Sequence, residues 1–351
     1  MTGRLASRRP TMNDVAADAN VSLKTVSRVV NQVGSVDSIL VERVLKSIAR
    51  LGFRRNEDAA SLRSGGAVKT IGLVTAVHSN TFYTAIASGV MQMARTSGYQ
   101  VIIASSEEDP ELERALALDL CRRRVSGLIV VPLDSDQSFL ASEMQRGTPV
   151  VFVDRPPIGV EADAVLIDNR GGARIAMEAI LTRRHRRVAL VMDSLGIYTM
   201  RERSAGARDA MSAAGIPADP DLVTTEAHTP DEAAGLFSRM LDLSKPPTAV
   251  LCGNNRATIG VIEELARRRA MGERSAESVQ VVGFDNFEMS RLLPFPVTLV
   301  DYDISEMGAR AAERLLARIQ GDQGPPHAQL LPTRLVQRGG LFGLAARNGH
   351  R

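Results

Sequence analysis

A cluster of hydrogen-bonding and basic side chains occurs between residues 22 and 31, in the segment SLKTVSRVVN. In a helix its three valines fall on one face and leave the polar side chains on the other. Hydroxyl and amide groups at such spacing can hold phosphates, while lysine and arginine can donate to guanine bases. The candidate nucleic-acid contacts are therefore Ser22, Leu23, Lys24, Thr25, Ser27, Arg28 and Asn31.

Three of these side chains are the candidates for base recognition. Lys24 can donate to guanine O6 and N7, Leu23 can pack against a thymine methyl group, and Arg28 follows one turn later. The other members are expected to hold phosphates and set the register. Two alternatives stay open, because Leu23 can equally be a partly buried packing residue and Lys24 a plain phosphate contact.

Two short helices joined by a tight turn must position this cluster. Thr11 and Asp14 have the spacing of a capping box at the start of the first helix. Asn20 tolerates the left-handed backbone found in such turns, and Ser22 can cap the second helix. This arrangement is typical of a helix-turn-helix, which places its second helix in a DNA major groove. A third helix is predicted to end at Gly52.

The basic residues are concentrated near the start of the chain. Residues 1–66 hold eleven Lys and Arg against six Asp and Glu, whereas the remainder holds 32 against 34. A basic head on a near-neutral body indicates that only the head meets a polyanion. A solvated basic face is the alternative that charge alone leaves open.

The rest of the chain has the pattern of an α/β protein. Residues 53–68 read as a linker containing a short helix that needs a partner to form. From Thr70 to about residue 340, apolar strands alternate with amphipathic helices, which predicts parallel sheets covered on both faces. This body is long for one sheet, so we expect two similar sheets side by side. Strands are predicted over residues 71–77, 101–105, 128–132, 150–154, 188–192, 249–253 and 281–284. Helices are predicted between them, for example over 82–96, 111–124, 174–182, 201–214, 231–241 and 258–269.

Other features limit the class of protein. Cys121 and Cys252 lie far apart in apolar contexts, and neither they nor the five histidines have metal-ligand spacing. We expect two buried thiols, no metal and no cofactor. The glycine motifs of nucleotide-binding enzymes and of serine hydrolases are absent, so an enzyme is not expected. Without a signal peptide or a membrane-spanning apolar run, the chain is expected to be cytoplasmic and to make no membrane contact.

Several sequence blocks in a fixed order resemble the lactose-repressor (LacI) family of bacterial transcription regulators. The resemblance extends from about residue 10 to residue 340. The blocks that carry it include DVAADANVSLKTVSRVVN at 14–31, ASLRSG at 60–65, KTIGLV at 69–74, VDRP at 153–156, RERSAG at 201–206, VVGFDN at 281–286 and LLPTRLVQRG at 330–339.

The resemblance implies an all-α helix-turn-helix head plus a hinge helix, joined to an α/β core of two doubly wound parallel-sheet subdomains. Such a core is similar to the periplasmic binding proteins and has three crossovers, expected near residues 166–170, 294–300 and 328–333. An effector cleft would lie between the two subdomains. The expected boundaries are 10–55 for the head, 56–68 for the hinge, 69–167 with 301–328 for the N-terminal subdomain, and 168–296 with 330–342 for the C-terminal subdomain.

In the hinge, Leu62 aligns with the family's leucine wedge, which enters the minor groove and kinks the duplex. Asn56 and Ala59 match the hinge pattern, whereas Arg55 stands where the family commonly has proline. The C-terminal tail lacks the heptads of the family's tetramers. The resemblance therefore implies a homodimer on double-stranded DNA with a pseudo-palindromic operator.

The resemblance also implies a small-molecule effector, a sugar or sugar derivative, that switches the operator affinity of a repressor of carbohydrate-metabolism genes. The residues at the matching positions are Phe82, Arg155, Asp168, Arg203, Asn254 and Asp285. For three of these residues a structural role is the alternative: Asp285 as a helix cap, Arg203 in a surface salt bridge, and Asp168 as a structural residue.

Two departures from the family pattern leave the ligand open. This chain has Asn254–Asn255 where the family usually has Asn-Asp, and Asp301–Tyr302–Asp303 where it often has Arg-Gln-Pro. A different ligand is one explanation. The other is a global regulator whose core responds to a protein corepressor rather than to a sugar.

Overall fold

The computed structural model describes residues 10–31, 34, 36–53, 69–293 and 295–340. They belong to two compact units, one before and one after the boundary between Val68 and Lys69. The predictions for Asn56, Ala59 and Leu62 lie outside the described residues.

The first unit contains three helices, α1 (Met12–Ala19), α2 (Leu23–Asn31) and α3 (Ser38–Leu51). The capping box of α1 is confirmed, since the Thr11 backbone N–H donates to Asp14 Oδ2 over 2.7 Å. Asn20 has a left-handed backbone with φ 50°, as predicted for the turn. Helix α3 ends at Gly52, which is also left-handed.

A small apolar core holds these helices together. Val15, Val26 and Val44, one from each helix, are completely buried and pack in one cluster. Full burial of a valine contributes roughly 1.5–3 kcal/mol, so a core of this size is sufficient only for a small bundle. The Arg43 guanidinium donates to the carbonyl oxygens of Ala19 and Asn20, which lie at the end of α1.

The second unit begins with a six-stranded sheet whose strands are all parallel. Its order is β11-β5-β4-β3-β1-β2. The strands are β1 (Thr70–Thr75), β2 (Gln100–Ser105), β3 (Gly127–Val130), β4 (Val150–Val153), β5 (Asp163–Ile167) and β11 (Ala328–Leu331). Apolar clusters on its two faces pack against the helices α4 (Thr81–Thr96), α5 (Pro110–Arg122), α6 (Ala141–Gln145) and α12 (Ile304–Ile319).

A second six-stranded sheet has the order β12-β10-β9-β8-β6-β7 and is parallel except for β12, which runs antiparallel to β10. Its strands are β6 (Val188–Val191), β7 (Val223–Thr224), β8 (Ala249–Cys252), β9 (Gln280–Phe284), β10 (Val297–Asp301) and β12 (Arg334–Arg338). It is covered on both faces by apolar clusters and by the helices α7 (Asn169–Thr182), α8 (Tyr198–Ala213), α9 (Pro230–Leu241), α10 (Asn255–Ala270) and α11 (Arg274–Glu277).

The chain passes between the two sheets three times, after β5, after β10 and after β11. The second passage follows residue 301 rather than lying within 294–300, because all of β10 pairs with strands of the second sheet. The predicted fold class of two parallel-sheet subdomains is confirmed. Both cysteines are buried, as expected, and among the described residues no helix is long and apolar enough to cross a membrane.

Candidate functional sites

Helix α2 presents a polar face beside the small core of the first unit. Leu23 is 48% exposed, and Lys24 and Arg28 are exposed as well. The exposure of Leu23 argues against the alternative of a packing residue. Ser22 caps the helix as predicted, because its hydroxyl accepts the Thr25 backbone N–H over 3.1 Å.

The remaining polar residues of this face bond to one another. The hydroxyl groups of Ser22 and Thr25 are 2.8 Å apart, and the Asn31 amide donates to the Ser27 hydroxyl over 3.1 Å. These pairs fix side-chain rotamers on one side of the helix. The longer side chains of Lys24 and Arg28 are exposed on the same helix.

In the second unit, a cavity of about 380 Å³ lies between the two sheets. Every residue that lines it follows the carboxyl end of a strand, which is where parallel sheets bind ligands. The first sheet contributes the loops after β1, β2 and β4, and the second sheet those after β6, β7, β8 and β9. The lining residues are Val77, Asn80, Phe82, Tyr83, Glu108, Asp154, Arg155, Asp193, Ser194, Ile197, Thr199, Met200, Arg203, His228, Asn254, Arg256 and Asp285.

Charged groups form a large part of this lining. It holds the four carboxylates of Glu108, Asp154, Asp193 and Asp285, the three guanidinium groups of Arg155, Arg203 and Arg256, and the imidazole of His228. His228 Nδ1 lies 2.5 Å from Asp193 Oδ1. We call this lined space the cleft.

Arg155 is only 4% exposed and is held by a carboxylate. Its Nη2 donates to Glu108 Oε1 over 2.7 Å and its Nη1 to Glu108 Oε2 over 3.2 Å. Nη2 also donates to the Tyr83 hydroxyl over 3.0 Å. Its buried Nε has no hydrogen-bond partner among the described residues and lies 3.7 Å from Asp154 Oδ2.

Arg203 is buried in the second subdomain, so the alternative of a surface salt bridge is wrong. Its guanidinium donates to Asn169 Oδ1 over 2.8 Å, to the Gly253 carbonyl over 2.7 Å and to Asp285 Oδ2 over 3.1 Å. It also lies 4.1 Å from the centre of the Phe284 ring. Such a set of contacts fixes the guanidinium plane at the cleft floor.

Asp285 lies at the end of β9 with a left-handed backbone, φ 64°. Its second oxygen accepts from the Tyr302 hydroxyl over 2.6 Å. Burial raises the pKa of Tyr302 well above its ordinary value, so this phenol stays a donor. The carboxylate is thus bonded to a guanidinium and a phenol, a role different from the helix cap that was the alternative.

Asp154 is a cleft residue that was missed in the sequence. It is buried, has a left-handed backbone with φ 73°, and its Oδ1 has no partner among the described residues. Burial raises its pKa from 3.8 to about 6, against the opposing effect of Arg155 and Arg203. Its position at the end of a predicted apolar strand, next to Arg155, was the signal that could have identified it.

Three other residues were predicted to contact the effector, and two of them line the cleft. Asp168 caps α7 by accepting the Gly171 backbone N–H over 2.8 Å, and it does not line the cleft. Its carboxylate accepts one of the free N–H groups at the helix start, which agrees with the alternative of a structural residue. Asn254 caps α10 and also lines the cleft. Phe82 is nearly buried in the cleft wall, edge-on to the neighbouring Tyr83 ring.

Besides the bond from Tyr302 to Asp285, polar contacts that the sequence did not indicate join the subdomains across the cleft. The Asn255 amide donates to Asn80 Oδ1 over 2.9 Å. Arg201 Nη1, at the start of α8, donates to Asp134 Oδ2 over 2.7 Å. The asparagine at position 255, noted as a departure from the family pattern, is therefore used in an inter-subdomain contact.

Comparison with known proteins assigns both units. Residues 11–56 match the model of the bacterial regulatory proteins of the lacI family, and residues 177–340 match the periplasmic binding protein-like domain. The transcriptional regulator CelR of Thermobifida fusca is 31% identical over 339 residues, which cover 94% of this chain and 98% of that protein.

Solved structures give the same result. A CelR–cellobiose complex is 29% identical with a TM-score of 0.67, over 95% of this chain and 100% of that one. A lac repressor dimer bound to operator is 25% identical with a TM-score of 0.77, over 95% and 100%. Cra of Pseudomonas putida in complex with fructose 1-phosphate is 25% identical with a TM-score of 0.69, over 77% and 99%. The chain belongs to the lacI family of bacterial regulatory proteins and is a DNA-binding transcriptional regulator.

Proposed function

We propose that this regulator is a repressor of carbohydrate-metabolism genes whose operator affinity is set by a small sugar or sugar derivative bound in the cleft. The observation that carries the proposal is the cleft itself, which lies between two sheets and is lined from the carboxyl ends of their strands. The residues proposed to contact the effector are Phe82, Asp154, Arg155, Arg203, Asn254 and Asp285. The relatives bound to cellobiose and to fructose 1-phosphate support this ligand class.

The cleft favours a small ligand over a protein corepressor. It is a cavity of about 380 Å³ between the two sheets, lined by apolar and charged side chains. A small ligand can enter such a space, whereas a protein corepressor can only dock on the outer surface.

DNA recognition is assigned to α2 and to the hinge. Leu23, Lys24 and Arg28 would read base edges in the major groove, and their hydroxyl and amide neighbours would hold phosphates. Asn56, Ala59 and Leu62 would form the hinge, with Leu62 entering the minor groove. A homodimer would present two heads to a pseudo-palindromic operator, and the similarity to a lac repressor dimer bound to operator supports this assembly.

In this proposal the protein catalyses no reaction and acts in the cytoplasm. Residues 10–55 would recognise DNA, residues 56–68 would form the hinge, and the two core subdomains would bind the effector. A ligand can shift operator affinity only by the difference in its affinity for the two states of the core. That difference would arise from groups on both sides of the cleft.

The test combines two measurements on the full chain. A panel of sugars, phosphorylated sugars and nucleobases is screened by thermal shift, and each stabilising compound is added to an operator-binding titration followed by fluorescence anisotropy. We expect at least one sugar to raise the melting temperature and to change operator affinity. If stabilising compounds leave operator affinity unchanged, the switching role is wrong while DNA binding stands.

A further inference from the structure

The relatives bound to cellobiose and to fructose 1-phosphate show that sugar effectors of such proteins differ in charge. We propose that this cleft takes an uncharged, hydroxyl-rich ligand and excludes phosphorylated ones, and that Glu108 is the residue that sets this specificity. The inference rests on the proposed function and narrows its ligand class. It follows from how the charges of the cleft are already paired.

The two buried guanidinium groups are neutralised by the protein's own carboxylates. Both oxygens of Glu108 accept from Arg155, at 2.7 and 3.2 Å. Asp285 accepts from Arg203 at 3.1 Å, and the remaining contacts of Arg203 are the carbonyl and amide oxygens described above. A phosphate bound by either arginine would have to displace or lie beside a carboxylate, which is unfavourable in a partly buried site.

The charge of the whole lining leads to the same conclusion. Four carboxylates face three guanidinium groups and the imidazole of His228, so the lining offers no excess of positive charge to an anion. Arg256 is included in this balance; it is partly exposed, and no ion pair of it occurs among the described residues. A phosphate dianion would add two negative charges that the lining does not balance.

The position of Glu108 is fixed by its backbone. Glu107 and Glu108 both have left-handed backbones, φ 51° and 60°, and the Glu108 N–H donates to the Ala76 carbonyl over 3.3 Å. The side chains of these two glutamates point to different surroundings. Glu107 accepts from the Ser105 hydroxyl over 2.6 Å and contacts His78 on the surface, whereas Glu108 lines the cleft. Glu107 is thus a matched control for Glu108.

The experiment compares the full-length wild type with Glu108→Gln, Glu108→Asp and Glu107→Gln. Each is titrated with inorganic phosphate against sodium chloride at equal ionic strength, and the melting temperature is followed. Phosphate binding to the DNA-contacting surface affects all four proteins alike. We expect phosphate to stabilise Glu108→Gln with half-saturation at about tenfold lower concentration than in the other three proteins, because the variant removes the carboxylate that is paired with both terminal nitrogens of Arg155.

A Glu108→Gln protein that responds to phosphate as the wild type does would overturn the role of Glu108. A second measurement, on the wild type alone, tests the ligand class: ribose, fructose and glucose are each compared with their phosphate esters by calorimetry. Tighter binding of a neutral sugar than of its ester supports the inference. Tighter binding of an ester overturns it and leaves the proposed function in place, whereas binding of neither kind of sugar counts against both.

Discussion

At the scale of single residues, the cleft contains buried charged groups, and their burial lowers the stability of the folded protein. Asp154 is buried with one oxygen unpaired among the described residues, in a left-handed backbone. Backbone strain and unpaired buried groups are typical of binding sites, where the cost is offset by the surrounding structure. Asp154 is therefore expected to lower the stability of the folded protein.

Replacing Asp154 by asparagine tests this cost. The folded-state pKa of about 6 lies above the ordinary 3.8, so the native protein binds a proton more readily than the unfolded chain. The contribution of Asp154 to stability consequently falls as pH rises from about 4 to about 6 and stays low above that range. We expect Asp154→Asn to be more stable than wild type at pH 7, by up to ~3 kcal/mol, and equally stable near pH 4.

The measurement is urea unfolding of both proteins between pH 4 and pH 7.5. The difference in unfolding free energy between them should grow with pH over this window and then level off. A difference that is constant with pH would mean that Asp154 is charged in the native protein over the whole window.

Lys24 carries the corresponding prediction for DNA. If its ammonium group donates to a guanine, Lys24→Ala should cost ~1–3 kcal/mol at the preferred operator and relax the base preference at one position of each half-site. A phosphate contact would instead weaken binding to all sequences alike. Selection of binding sites from a random library distinguishes the two cases, and an unchanged consensus would assign Lys24 to a phosphate.

At the scale of elements, apolar runs in the sequence predicted most of the strands but not all. The edge strand β2 was predicted, whereas β5 and β10 were missed although both are buried and central in their sheets. Asp163 begins β5 and Asp301 ends β10, so neither strand is an uninterrupted apolar run. Strands β11 and β12 lie at sheet edges with partly exposed residues, which gives no apolar run. Helix α12 has Met307, Ala311 and Leu315 at four-residue steps, which is a clear helical signal.

The residues of the cleft, like the strands, could be predicted only in part from the sequence. Arg203 and Asp285 were predicted because they lie in blocks that resemble the family, and the structure brings them together. Asp168 has the same residue type at a strand end, but the N–H groups of α7 hold it as a cap. Sequence alone does not separate a capping aspartate from a ligand-facing one, because both follow a strand and precede a helix.

Glycine at one helix contact is a requirement of packing. A Cβ atom at Gly206 in α8 would lie 2.1 Å from the Arg170 carbonyl oxygen in α7, which is backbone and cannot rotate away. We expect Gly206→Ala to destabilise the core by roughly 1–3 kcal/mol, measured by chemical unfolding.

Gly235 provides the matched control, because it lies within α9 and nothing is within 4 Å of its added Cβ. There, alanine should stabilise by up to ~1 kcal/mol through its higher helix propensity. Equal effects at the two positions would show that helix propensity, rather than the contact between α7 and α8, determines the outcome.

At the scale of the whole molecule, sensing depends on how the two core subdomains are joined. Beyond the crossovers, Asn80–Asn255 and Asp134–Arg201 are polar contacts between them. The Arg201 side chain is 48% exposed and that of Asp134 26% exposed, so the ion pair contributes less to stability than a buried one. Its effect should appear in the relation between the subdomains rather than in the unfolding free energy.

Asp134→Asn tests this role. We expect the unfolding free energy to change by less than about 1 kcal/mol, because the pair is exposed. The distance between fluorophores placed on the two subdomains should nevertheless increase or broaden, since a contact across the cleft is lost. Loss of this ion pair can change operator binding by no more than the free energy of the pair itself. Operator affinity without ligand should therefore change by no more than about fivefold.

The control is Asp209→Asn, which removes an ion pair of similar exposure to Arg170 within a single subdomain, at 2.8 Å. It should have a comparably small effect on stability and leave the inter-subdomain distance unchanged. If both variants give the same distance distribution as wild type, the cleft is held by the crossovers and the remaining contacts. Operator affinity would then respond only to groups that face the ligand, which places the switch in the cleft lining itself.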